Sequence, residues 1–175
     1  RSAFRMIMLT ELATPLCKGL RGSRNLLLLA VTFYIGHNPC LTDLPEFPNL
    51  TFVGGKLNVT GNGKLNTIAG FNTLTSLSIL SIHSNIGLTS IKGFNALTSA
   101  RYINISENSL LSWIEGFDAV INVEAVSIRG LCQSRSLPEI VLKRLKHKFE
   151  AVKESVAPLE ISDDRHDYII SNDDY

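Results

Sequence analysis

The side chains best equipped for chemistry in this chain are four histidines, three cysteines and a scatter of hydroxyls and carboxylates. Their spacing argues against catalysis. His83 has Ser81 and Ser84 beside it, but neighbouring residues on a strand point to opposite faces, and no acid completes a nucleophile–base–acid set. Ser106 and Ser127, near His83 across the sheet, read as a hydroxyl ladder before they read as nucleophiles. His37, His147 and His166 are scattered. Asp163, Asp164, His166 and Asp167 could hold a divalent ion only weakly, because a short acidic tail lacks preorganised ligands. Cys17, Cys40 and Cys132 lie far apart and make no metal spacing; Cys17–Cys40 pairing and free thiols both remain open. Glycine-rich phosphate loops, HExxH and paired-cysteine motifs are absent. The expectation is a protein that is not an enzyme, with no catalytic residue, no metal and no cofactor.

What the chain does repeat is asparagine. Asn38, Asn62, Asn85 and Asn108 are 24, 23 and 23 residues apart, each in the same apolar frame. Five and three residues earlier stand Phe33 and Ile35, Leu57 and Val59, Leu80 and Ile82, Ile103 and Ile105. Three, six, nine and twelve residues later stand Leu41, Leu44, Phe47 and Leu50, and in the next copies Leu65, Ile68, Phe71 and Leu74, then Leu88, Ile91, Phe94 and Leu97, then Leu111, Ile114, Phe117 and Val120. A fixed period of this length marks a solenoid, whose stacked units present a surface more readily than they enclose a reaction chamber.

Each unit can be built from its parts. Alternation such as Leu80-Ser81-Ile82 predicts a short strand with one buried face. The asparagine turns the chain and satisfies backbone groups that the turn would leave open, so stacked copies should form an asparagine ladder. Gly70, Gly93 and Gly116, each before the phenylalanine, are expected to supply a tight or left-handed turn; the first copy has Glu46 there.

At these residues the chain resembles the leucine-rich repeat class, and within it the receptor L-domain type. The stretch Pro48-Asn-Leu-Thr-Phe-Val-Gly-Gly-Lys-Leu-Asn-Val-Thr-Gly-Asn62 carries the resemblance, as do the copies Gly-Phe-Asn-x-Leu-Thr-Ser at 70–76 and 93–99. It covers about 30–130. The resemblance implies a β-solenoid with one parallel sheet of about five short strands, an irregular convex side and no catalytic residues. It spans ligand-binding ectodomains, adhesins and cell-wall proteins.

The ends depart from the frame. A fifth unit begins at Val126 and Ile128, but its asparagine slot is Leu131. Ser136-Leu-Pro-Glu139 then forms a capping box ahead of Ile140, Val141, Leu145, Phe149, Val152 and Val156, which predicts an amphipathic capping α-helix. Its Lys143, Arg144, Lys146, His147 and Lys148 leave a partner or membrane-surface role as the alternative. The organisation expected is an uncertain N-terminal segment at 1–29 (cap, signal remnant or missing repeat), repeats at 30–132, a capping helix at 133–159 and an acidic, disordered tail at 160–175. An open N-terminal edge would favour a dimer. The apolar run at 26–35 is too short to span a membrane, which takes ~20 residues.

The exposed strand slots are the candidate ligand-binding face, with Tyr34, Lys56, Ile79, His83, Tyr102 and Arg129 as its contacts. Five strands ~4.8 Å apart make a face about 20 Å across, which suits a peptide, a protein loop or a glycan. A net charge of +1, from 17 basic and 16 acidic residues, favours no nucleic acid. Asn49, Asn58 and Asn104 head glycosylation sequons, of which Asn49 is the expected site because glycans at the other two would obstruct the face. The function expected is non-catalytic recognition by a cell-surface or secreted glycoprotein, or a fragment of a receptor-like one. The alternatives are a cytoplasmic scaffold or regulatory protein, and a structural wall or matrix protein without a discrete ligand.

Overall fold

The computed structural model describes residues 28–29, 32–130, 147, 159–163 and 166–170, with side chains over 32–130 and at 147. Strands β1 (Leu28–Leu29), β2 (Phe33–Gly36), β3 (Phe52–Thr60), β5 (Ser76–His83), β7 (Ser99–Ser106) and β9 (Asn122–Arg129) pair in parallel in one sheet. Beyond β9 the sheet continues through β10 (Leu159–Asp163), parallel to β9, and β11 (His166–Ile170), antiparallel to β10. Strands β4 (Thr67–Ile68), β6 (Ser90–Ile91) and β8 (Trp113–Ile114) form a second, three-stranded parallel sheet. The chain is a parallel β-solenoid of about four turns.

The apolar frame is the core. All six slots of all four copies are buried, most of them completely. Phe47, Phe71, Phe94 and Phe117 stack face to face with centroids 5.0–5.3 Å apart, and Phe33 closes the first end edge-on at 5.4 Å from Phe47. One turn alone would leave its leucines and phenylalanine in water; stacking removes that area at roughly 25 cal/mol per Å².

The asparagine ladder is present and directional. The Asn38, Asn62 and Asn85 backbone N–H groups donate to Oδ1 of the asparagine one turn on, at 3.0–3.1 Å. In return, Nδ2 of Asn62, Asn85 and Asn108 donates to the Ile35, Val59 and Ile82 carbonyls, each at 3.0 Å. Every rung is buried, so each bond satisfies a group that water cannot reach.

The structure departs from the sequence reading in several places. Strands β3, β5, β7 and β9 are eight or nine residues long, not three: Val53, Leu77, Ala100 and Val123 form a further buried row ahead of the predicted frame. The convex side is not irregular, because its two-residue strands pair across turns. A left-handed turn is found at Gly116 (φ 93°), but one turn earlier the positive φ falls on Phe94 (67°). Gly70 serves close approach instead: a Cβ there would lie 2.1 Å from the Pro45 carbonyl oxygen. The tail expected to lack order contains β10 and β11, whose Ile161, Tyr168, Ile169 and Ile170 are strand-forming types. Leu28 pairs with Phe52 at the same offset of 24 as Phe33 with Leu57, so the repeat register reaches back into the segment set aside as N-terminal. The predicted capping helix at 133–159 lies outside the described residues except for His147, which is helical, and Leu159, which belongs to β10 instead. Among the described residues no helix is long and apolar enough to cross a membrane.

Candidate recognition face

The outer face of the main sheet is ruled into columns by the parallel register. One column runs Lys56, Ile79, Tyr102, Ala125; the next Tyr34, Asn58, Ser81, Asn104, Ser127; the third Gly36, Thr60, His83, Ser106, Arg129. The six predicted contacts therefore share one surface. Tyr102 and Arg129 are exposed; Tyr34, Lys56, Ile79 and His83 are half-buried among their neighbours.

Tyr34 is shaped by Gly36. A Cβ on Gly36 would sit 2.3 Å from the Tyr34 ring, so the ring lies over bare backbone. His37 does the same over Gly61, where a Cβ would come within 2.8 Å of Nδ1. The two rings meet at 6.5 Å and 37°, forming an aromatic corner at the end of β2. Tyr102 carries the Arg101 guanidinium 5.5 Å from its ring centroid, while Arg101 Nε donates to Glu124 Oε1 at 3.0 Å. Both members of that ion pair are exposed, so it orients Arg101 more than it stabilises the fold.

His83 sits in a chain of polar contacts that sequence reasoning missed. Its Nδ1 lies 3.1 Å from Thr60 Oγ1 and 3.2 Å from Ser84 Oγ, and the Ser84 hydroxyl donates to Glu107 Oε2 at 2.8 Å. Burial, then Lys56, lower the His83 pKa, against an opposite pull from Glu107. The serine stands between imidazole and carboxylate, so the acid does not orient the base as it does in a catalytic triad. The signal for Glu107 was available: Ser84 and Glu107 occupy the slot before the asparagine one period apart. His37, Gly61, Ser84, Glu107 and Gly130 share that slot and all have φ of 54–64°. With two glycines in five, the requirement was hidden.

Of the sequon asparagines, Asn58 and Asn104 lie in the second column and Asn49 is half-buried ahead of β3. Asn58 Oδ1, Asn104 Oδ1 and Ser127 Oγ are buried without a hydrogen-bond partner. Cys40 is an exposed free thiol, and the other two cysteines lie outside the described residues. Among the described residues no group of three or more His, Cys, Asp or Glu is placed to hold a metal ion. Fold and face together define a parallel β-solenoid with a polar, aromatic-edged sheet surface, in which Thr60 and Ser81 are themselves buried. No family model, curated protein or solved structure matches the chain.

Proposed function

We propose that the chain is a non-catalytic recognition module of the leucine-rich repeat, receptor L-domain-like type, which binds a protein, peptide or glycan on the outer face of its main sheet. The observation that carries this reading is the contrast in the columns. The inward residues repeat, whereas the outward ones differ at nearly every strand and include Tyr34, Ile79, His83, Tyr102 and Arg129 on one plane. Aromatic and arginine side chains anchor interfaces out of proportion to their number. Three sequons favour a cell-surface or secreted protein. The exposed thiol of Cys40 favours the second reading, an intracellular scaffold.

The test immobilises the native chain and a Tyr102→Ala/His83→Ala variant of equal stability and measures saturable capture from the source organism's extracellular fraction. A ligand held by the native chain and lost by the variant supports the reading. Equal capture by both sinks it. Intact mass before and after deglycosylation decides between the compartments: a glycan shift supports the surface reading, and an unmodified chain with three free thiols supports the scaffold.

A further inference from the structure

We propose that the ligand of this face is a neutral oligosaccharide laid across the strands, with one sugar ring resting on Tyr34 and its hydroxyls bonded to Asn58 and Asn104. The inference rests on the recognition reading above and narrows it to one chemical class.

The chemistry of the two inner columns supports it. From β2 to β9, Tyr34, Asn58, Ser81, Asn104 and Ser127 lie beside Gly36, Thr60, His83 and Ser106, with Arg129 the one full charge in these two columns before β10 carries the first of them on to Glu160. Of the carboxylates beside the columns on β7, β9 and their turns, Glu107 is engaged with Ser84 and Glu124 with Arg101. Amides and hydroxyls both donate and accept, which matches sugar hydroxyls that do the same. A charged polymer would find no array of opposite charges here. A peptide docking by main-chain pairing needs a strand edge, which the middle of a sheet does not offer.

The unpaired atoms fall in one of these columns. Asn58 Oδ1, Asn104 Oδ1 and Ser127 Oγ lack partners, and a buried polar atom left so costs roughly 1–3 kcal/mol. Asn58 and Asn104 are two strands apart, about 10 Å, so a chain lying across the strands meets one amide after the other. These atoms are out of reach of solvent in the free protein, and Ser81 and Thr60 beside them are buried, so binding requires a local rearrangement of the face. Tyr34 supplies the remaining element. Its ring occupies the space that a Cβ on Gly36 would need, at the edge of these columns, and is the aromatic group offered to the C–H face of a pyranose.

The experiment is calorimetric titration of the full chain with cellohexaose and chitohexaose, backed by an array of neutral and anionic glycans. Tyr34→Ala and Asn104→Ala are titrated alongside, and urea denaturation is run on each. The expected result is saturable binding of a neutral oligosaccharide, weakened about tenfold or more by either substitution. Asn104→Ala should keep or raise the urea midpoint, because it deletes an unpaired acceptor. Neutral-sugar binding that survives both substitutions overturns the proposal, as does binding of anionic glycans alone. A lower midpoint for Asn104→Ala with sugar affinity retained also overturns it, by making Asn104 a structural rung. Panning a random-peptide library on the same chain separates this failure from that of the wider reading. Peptides that lose binding on Tyr102→Ala/His83→Ala, with no sugar bound, overturn the oligosaccharide and leave recognition standing; no ligand of either class removes both.

Discussion

The asparagine edge and the outer sheet face belong to the same turns of the solenoid, yet they obey opposite rules. Along the edge each turn repeats its neighbour, because each turn leaves the same backbone groups to satisfy. Asn62 and Asn85 make matching sets of bonds one period apart. Across the face, a column reads Lys, Ile, Tyr, Ala, or Gly, Thr, His, Ser, Arg, because no backbone group depends on what stands there. The difference teaches where to look in a repeat protein: uniform slots report what the fold requires, and irregular ones are free to report what the molecule meets.

Substitutions can break this contrast or sharpen it. The largest loss should come from Phe71→Ala, which empties a fully buried site stacked between Phe47 and Phe94. We expect about 3–5 kcal/mol in chemical denaturation. Asn85→Leu, which copies the residue at slot 131 into the ladder, removes the acceptor for the Asn62 N–H and the donor for the Val59 carbonyl. Its expected cost is about 3 kcal/mol, since buried groups are left unpaired; a loss below about 1 kcal/mol would show that the ladder is ornamental. Ser84→Gly should work the other way. It relieves a left-handed residue (φ 56°) and gives up an exposed bond to Glu107, for a gain of about 0.5 kcal/mol.

On the face, Tyr102→Ala should shift stability by no more than about 0.5 kcal/mol while changing binding. The smallest effect is a pH dependence at His83. Its folded pKa lies below the ordinary 6.5, chiefly through burial. The folded state thus binds this proton less readily than the unfolded chain, and the stability present above about 6.5 declines as pH falls from there toward the lowered value. A His83→Gln chain should show a flatter denaturation midpoint than the native one between neutral pH and about pH 5.5. An equal slope would show that other groups set the dependence.

The core was readable because one residue type per slot, four times over, is a strong signal. The length of the strands was not. Ser78 and Ile79 both face outward between buried Leu77 and Leu80, which interrupts the alternation, so only the Leu80-Ser81-Ile82 part reads as strand. Two-residue strands such as Thr67–Ile68 have no period to detect, and only their pairing with Ser90–Ile91 defines them. The face was legible as a set of positions, since slot arithmetic puts Lys56, Ile79 and Tyr102 side by side. What escaped was how the side chains lie: the Tyr34 ring over Gly36, and the Ser84 link from His83 to Glu107, depend on rotamers that spacing does not encode.

The register shift between Val53 and Lys56 also explains why the first asparagine interval is one residue longer than the others. The surplus residue is taken up at Gly54 and Gly55, as an outward kink against a partner strand that is one residue shorter there. The solenoid thus keeps its count in whole turns and takes up the extra residue on the sheet face, where ladder and core are not disturbed. A residue added at 54–55 should be absorbed in the same way, whereas one added between Asn62 and Phe71 would displace the fully buried Leu65 or Ile68 of that one turn.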